Sequence, residues 1–314
     1  MSDDTQEFPS HLPEDDEPGH AHIEDYAERD RGQYSQHAAG VVLPATAPPS
    51  GPPRETMLLD AGRFPQHVSF AVNSQGDMLV GSDAHDQLNG ANGDDELVGK
   101  AGDDDQFGGD GNDMLYGDGG RDWLFGGAGH DLLYGGLGND QLAGDVGDDV
   151  LFGGAGDDRL IGGRGCDVLS GGAGNDFLKG GAGDDIYRFQ PGDGADVIAN
   201  DATTYVGGAL ASDHDRVEYG AGVTRDQLWW QRAGDDLKIT GIESGDSQTI
   251  KNWYRDTAHR IGEFVLSDGM RVQAADVEPL VAAMATMSMP GIGNAHLPAQ
   301  YQAVLNPVLA ESWQ

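Results

Sequence analysis

The chain has little of what a conventional globular core is built from. Only 7% of its 314 residues are aromatic and 38% are apolar, so one large close-packed interior is excluded. There is a single cysteine, Cys166, which rules out an intramolecular disulfide framework. Basic residues are scarce, 18 Lys and Arg against 54 Asp and Glu, for a formal charge of −36. Such a chain repels nucleic-acid phosphates and anionic membrane surfaces, which leaves cations as its natural partners. No apolar run approaches the length of a membrane span, and the opening Met1-Ser2-Asp3-Asp4 has neither a basic nor an apolar region of a secretory signal peptide. Membrane insertion and export by the usual N-terminal route are therefore not expected.

Motifs for common catalysts are missing too. There is no His-Glu-x-x-His, and His11, His20 and His22 fall in an acidic stretch where they read as solvated rather than as zinc ligands. Ser74 follows Val72 and Asn73 and so lacks the glycine of a Gly-x-Ser-x-Gly elbow. No apolar or amphipathic pore-forming segment is present.

What the chain has is glycine, 50 residues of it, in register. Residues 1–56 come first, an acidic and then proline-rich stretch (Pro44-Ala-Thr-Ala-Pro-Pro-Ser-Gly-Pro-Pro53) expected to be disordered because it cannot bury enough surface to offset ordering entropy. Residues 57–80 read as a lead-in: Val68-Ser-Phe-Ala-Val72 alternates, and Asp77-Met-Leu-Val80 imitates half a repeat. Residues 81–188 are then twelve nonapeptides without an insertion, from GSDAHDQLN to GGAGDDIYR. Position one is always Gly, position four is Gly except at Ala84, position six is always Asp, and position eight is Leu except at Gln106 and Tyr187.

The glycines at positions one, four and often two suggest a tight loop with positive φ values over positions one to six. Positions seven to nine leave room for a brief strand whose alternation turns position eight inward. Two nonapeptides make one coil, so twelve give about six coils of a parallel β-roll with a thin double row of leucines inside. That interior is too small to hold the chain by itself.

Position six supplies Asp86, Asp95, Asp104, Asp113, Asp122, Asp131, Asp140, Asp149, Asp158, Asp167, Asp176 and Asp185. Coils stacked about 4.8 Å apart bring these carboxylates close, where like charges raise one another's pKa unless a cation lies between them. Calcium suits the place, because it accepts six to eight oxygens in a forgiving geometry and glycine loops expose their carbonyls beside the Asp side chain. The acids at position five, Asp94, Asp103, Asp148, Asp157 and Asp184, read as loop formers.

GGxGxD followed by x-Leu-x, twelve times over, resembles the RTX or haemolysin-type calcium-binding repeat of secreted Gram-negative proteins. The resemblance implies an all-β fold, a right-handed parallel β-roll (a β-helix-like solenoid). It also implies Ca2+ between successive loops, held by the sixth-position aspartates and by loop carbonyls, here those of Gly90, Gly99, Gly108, Gly117, Gly126, Gly135, Gly144, Gly153, Gly162, Gly171 and Gly180. About five ions per side, about ten in all, would follow. If outside calcium is about ten times the site Kd, each ion adds about 1.4 kcal/mol and ten add about 14 kcal/mol, as much as a domain's whole stability of about 5–15 kcal/mol. The implied behaviour is a chain unfolded inside the cell that folds after export.

Residues 189–275 read as a small β capping domain. The stretch from Phe189 to Asn200 resembles the degenerate cap of such rolls, with Asp193 and Asp196 candidates for a further ion, and Asp235 to Val272 resembles the haemolysin-type calcium-binding protein related domain. Ile250, Trp253, Tyr254, Phe264 and Leu266 are its candidate core. Residues 276–314 are expected to hold a short helix over 276–287 and a charge-poor tail. In RTX families the C-terminal segment carries the type I secretion signal, which implies the type I secretion machinery as a partner and an extracellular destination. Enzymatic activity is not expected. The rival reading is a secreted adhesin or partner-binding protein, or the non-catalytic partner of an RTX toxin or hydrolase. Ninth-position Phe107, Phe125 and Ile161 on one face, and Tyr116, Tyr134 and Phe152 on the other, with Trp123 beside Phe125, could meet a cell-surface glycan or protein. Cross-strand packing explains the same residues without a ligand.

Overall fold

In a computed structural model of the chain, the described residues are the strands Leu58–Asp60 and Ser69–Ala71, residues 76–200, the strands Tyr205–Val206 and Ala209–Leu210, and residues 214–314 without 256 and 258. The expected disordered stretch 1–56 and most of the lead-in lie outside them. The fold is nearly all β: two eleven-stranded sheets take alternate strands of the chain, so that each nonapeptide contributes to the sheet opposite the one before it. Within each sheet the repeats pair in parallel with a shift of 18 residues, as in Leu142 with Leu160 and Leu151 with Leu169. The expected β-roll is thus present, two repeats to the coil.

The strands are longer than positions seven to nine. In the first eleven repeats each covers six residues, such as Gln87–Asn92 or Val150–Ala155, and runs on through positions one to three of the next repeat, while the twelfth gives the four-residue Ile186–Phe189. The reason is the stack itself, because glycine backbone at one and two pairs as readily with the coil above as a substituted residue does. Burial alternates along each strand, with position eight and the following first-position glycine inward. The ten eighth-position leucines, Leu88 to Leu178, are fully buried, and Gln106 and Tyr187 occupy the same rows.

First-position glycine is needed for space rather than for φ. Positive φ occurs at position four and at position two, where Ala91, Lys100, Asp118 and Asp145 adopt it without being glycine. Position one has ordinary φ, but a Cβ there would strike the next coil: at Gly117 it would stand 2.5 Å from Asp122 Oδ2 and 2.7 Å from the carbonyl oxygen of Gly135.

The two sheets continue through the C-terminal third. Arg216–Tyr219 and then Glu263–Val265 extend one ladder, and Ala195–Ile198 and then Ser247–Ile250 extend the other. Antiparallel partners then close them, Arg271–Gln273 on the first and Asp236–Gly241 with Leu228–Ala233 on the second. Of the expected core residues, Ile250, Trp253, Phe264 and Leu266 are buried, while Tyr254 is half-buried under the Arg232 guanidinium at 4.2 Å.

The expected short helix is α1, Val277–Met284. A second helix, α2, Ala299–Ser312, occupies what reads in sequence as a plain tail containing Pro307. Tertiary contact makes it: Leu305 and Leu309 are buried, and Trp313 just beyond packs edge-on to Trp230 with ring centroids 6.3 Å apart. Gln314 and Arg271 exchange both backbone hydrogen bonds, at 2.8 and 2.9 Å. Among the described residues no helix is long and apolar enough to cross a membrane.

Candidate metal centre

Every sixth-position aspartate is buried, none more than 2% exposed. The side chain is turned into the base of its loop, and in ten of the twelve its Oδ1 accepts the backbone N–H of the aspartate one coil earlier. The chain of bonds includes Asp86 to Asp104, Asp95 to Asp113, Asp113 to Asp131, Asp131 to Asp149 and Asp149 to Asp167, at 2.6 to 2.9 Å. One carboxylate oxygen is therefore spent on holding coils together.

In seven of these carboxylates the other oxygen is not. In Asp95, Asp113, Asp131, Asp149, Asp158, Asp167 and Asp176, Oδ2 is buried and has no hydrogen-bond partner. Leaving a buried carboxylate oxygen so is costly unless a cation meets it. Oδ2 converges with the next coil's first-position carbonyl on the bare face of a glycine: at Gly81 the point where a Cβ would lie is 2.5 Å from the Gly99 carbonyl oxygen and 2.7 Å from Asp86 Oδ2, which in this first loop also accepts from Ser82. The same pairing recurs at Gly90, Gly99, Gly108, Gly117, Gly135, Gly144, Gly153 and Gly162. A carboxylate oxygen and backbone carbonyls, without nitrogen or sulfur, form a donor set that fits a hard divalent cation. No three His, Cys, Asp or Glu side chains converge among the described residues, so an ion here would draw much of its shell from backbone.

The electrostatics agree. Burial pushes the carboxyls of Asp113, Asp131, Asp149, Asp167 and Asp176 up to about 7 and Asp95 to about 6, against a pull downward from the N–H that each accepts. Asp158 is raised well above the ordinary range, by burial and then by the charge of Asp176. In the absence of positive charge the row is poised to hold protons.

The row is longer than the twelve repeats. Asp77 before them and Asp196 and Asp215 after them are buried in the same line. Asp196 Oδ1 accepts the Asp176 N–H at 3.0 Å, and Asp215 Oδ1 accepts that of Asp185 at 2.8 Å, across insertions that lengthen the step to 20 and 30 residues. Asp215 escaped the sequence reading because the period breaks before it. Its signal was the half-repeat Asp215-Arg-Val217. Asp196 has an unpartnered Oδ2 as well, and burial raises its carboxyl to about 8. Asp193 spends Oδ2 on the Gln190 N–H.

Position five forms a second ladder running the opposite way. The exposed side chains of Asp94, Asp103, Asp148, Asp157 and Asp184 accept the N–H of the fifth residue one coil later, namely Asn112, Arg121, Cys166, Asn175 and His214, at 2.8 to 3.2 Å. These acids are joints of the loop edge, as their loop-forming reading implied. Cys166 is exposed and donates its N–H within this ladder.

The ninth-position aromatics stack face to face. Phe107 and Phe125 lie 5.1 Å apart at 4°, Tyr116 and Tyr134 5.3 Å at 2°, and Tyr134 and Phe152 5.0 Å at 10°. Trp123 tilts against Phe125, and Ala143 separates Ile161 from the phenylalanine pair. The ring faces are turned to one another, which is cross-strand packing.

Two family models match the chain. The one described as RTX calcium-binding nonapeptide repeat (4 copies) matches residues 73–105, 107–142, 134–169 and 167–198. The one described as haemolysin-type calcium binding protein related domain matches residues 236–276. Among solved structures, the extracellular lipase LipA from Serratia marcescens is similar over 57% of this chain and 38% of its own, at 20% identity and a TM-score of 0.22. The chain thus spans well under half the length of that lipase.

Proposed function

Because the chain is an RTX calcium-binding nonapeptide-repeat protein that also carries a haemolysin-type calcium binding protein related domain, we propose that it is a secreted protein whose β-roll folds on binding several calcium ions after type I export. The reading further holds that the chain has no catalytic activity of its own. One observation carries it: buried Oδ2 atoms without hydrogen-bond partners, those of Asp95, Asp113, Asp149, Asp158 and Asp167 each facing a first-position glycine carbonyl of the next coil. The sixth-position aspartates and first-position glycine carbonyls are the assigned ligands, with about ten ions as the expected number. Calcium, when bound, supplies the positive charge that lets the buried carboxylates ionise. This chain's residues do the rest, the Oδ1 bonds holding the coils in register and the glycines keeping the cradle open. Outside the cell calcium is abundant and the roll is stable, whereas at cytosolic levels the linkage contribution nearly vanishes and the chain stays export-competent. The stacked aromatics support a stabilising role in preference to a glycan-binding surface, since CH–π recognition needs free ring faces.

The test is calorimetric titration of chelator-stripped full-length protein with calcium, run beside circular dichroism and repeated with magnesium. Uptake of several ions with a cooperative gain of β signal, not reproduced by magnesium, is expected. An unchanged β signal in excess chelator would overturn the folding switch, and no uptake would overturn the ligand assignment.

A further inference from the structure

The leucine rows contain one amide. Gln106 sits at position eight, where ten of the twelve repeats have Leu, and is 0% exposed. Its Nε2 donates to the Tyr116 carbonyl oxygen at 2.7 Å, and its Oε1 is buried with no hydrogen-bond partner. Burying half an amide unsatisfied inside an apolar row is unfavourable. The side chain also ends at a particular place. The point where a Cβ would lie on Gly99 is 2.5 Å from Asp104 Oδ2, 2.5 Å from the Gly117 carbonyl oxygen and 2.8 Å from Gln106 Nε2. At the other first-position glycines that carry the carboxylate and carbonyl pair, the three nearest atoms to that point do not include an eighth-position side chain.

We propose that Gln106 is a calcium ligand of the Asp104 cradle, a side-chain oxygen additional to those of the repeat pattern. The proposal rests on the calcium-binding reading above. The two ends of a primary amide are nearly isosteric, and a half-turn about the last side-chain torsion exchanges them. With no cation present, the nitrogen end faces the oxygens of Tyr116, Gly117 and Asp104, which is the orientation seen. With a cation in the cradle, the oxygen end takes that place and gains the ion as its partner, in exchange for the hydrogen bond that Nε2 gives the Tyr116 carbonyl. Amide carbonyls of Gln are ordinary calcium ligands, and a neutral one adds to the coordination number without adding to the repulsion among stacked aspartates. The Asp104 site is accordingly a tighter site than its neighbours.

The experiment compares calcium titrations of the full chain with those of Gln106→Leu, which restores the repeat residue, and Gln106→Glu, which keeps an oxygen at the same reach. Loss of one ligand oxygen is expected to weaken one site about tenfold in Gln106→Leu, seen as one ion leaving the tightest class, while Gln106→Glu recovers it. Circular dichroism in saturating calcium checks that both variants fold. If Gln106→Leu does not fold, the Glu variant alone decides, because a purely structural amide donor to Tyr116 would not be rescued by a carboxylate. Unchanged binding in Gln106→Leu, or one additional ion, would overturn the proposal, the second outcome meaning that the amide stands in for a cation. Absence of calcium uptake by the unmodified protein would instead sink the calcium reading itself.

Discussion

Acid should do part of the work of calcium. The buried carboxyls of Asp113, Asp131, Asp149, Asp167 and Asp176 have folded-state values near about 7 without an ion, against 3.8 as the ordinary value. Between those limits the folded, ion-free roll binds more protons than the unfolded chain, so its stability is highest at low pH and is lost as pH rises through about 7. A shift of that size corresponds to about 4 kcal/mol per carboxylate, and two such groups alone amount to about 8 kcal/mol, within the range of a whole domain's stability. The groups interact, so the full row titrates as a set rather than as a sum. Calcium-free protein should therefore be largely unfolded at about pH 7.5 and regain β signal and buried-tryptophan fluorescence on acidification to about pH 5. The net charge of −36 offers a competing cause, because acid relieves overall repulsion too. Repeating the titration in about 1 M potassium chloride, where the Debye length is about 3 Å, suppresses that cause and leaves the buried carboxyls in place. Identical spectra at both pH values, or a transition that disappears in high salt, would refute the reasoning. With calcium saturating, the roll should stay folded through about pH 7.5, so that this loss is abolished, and protons should displace the ions from Oδ2 only at lower pH.

Three further outcomes follow from individual contacts. Gly117→Ala puts a methyl group between Asp122 Oδ2 and the Gly135 carbonyl, and should remove one calcium ion from the calorimetric stoichiometry and about 1–3 kcal/mol from the calcium-saturated stability. Asp148→Ala removes an exposed acceptor of the Cys166 N–H, so urea unfolding in calcium should show a loss of under about 1 kcal/mol, with the ion count unchanged. Trp313→Ala vacates the buried seat against Trp230 and should cost about 3–5 kcal/mol in the docking of residues 299–314, read as faster proteolysis of α2 at unchanged calcium stoichiometry.

The roll was legible in the sequence because it repeats. A period of nine with Asp at six and Leu at eight leaves one geometry in which every leucine is inside and every aspartate is at a loop. The alternate sheets, the buried leucine rows and the stacked rings all follow from that period. Sequence also separated position five from position six, by composition alone. What it did not contain was anything that depends on the distance between coils. That first-position glycine is demanded by a neighbouring carbonyl rather than by φ emerges only when Gly117 faces Gly135. The continuation of the aspartate row to Asp215 was hidden by an insertion that changes sequence spacing but not position in space. The helix α2 contains a proline and shows no capping pattern, and exists because Trp313 finds Trp230. Gln106 reads in sequence as a mere exception to leucine, and its meaning lies in what its amide reaches across the interior, at Tyr116 and Gly99. Local pattern determined which residues face inward, since alternation is a property of the strand. Tertiary stacking decided which oxygens meet, since that is a property of two coils at once.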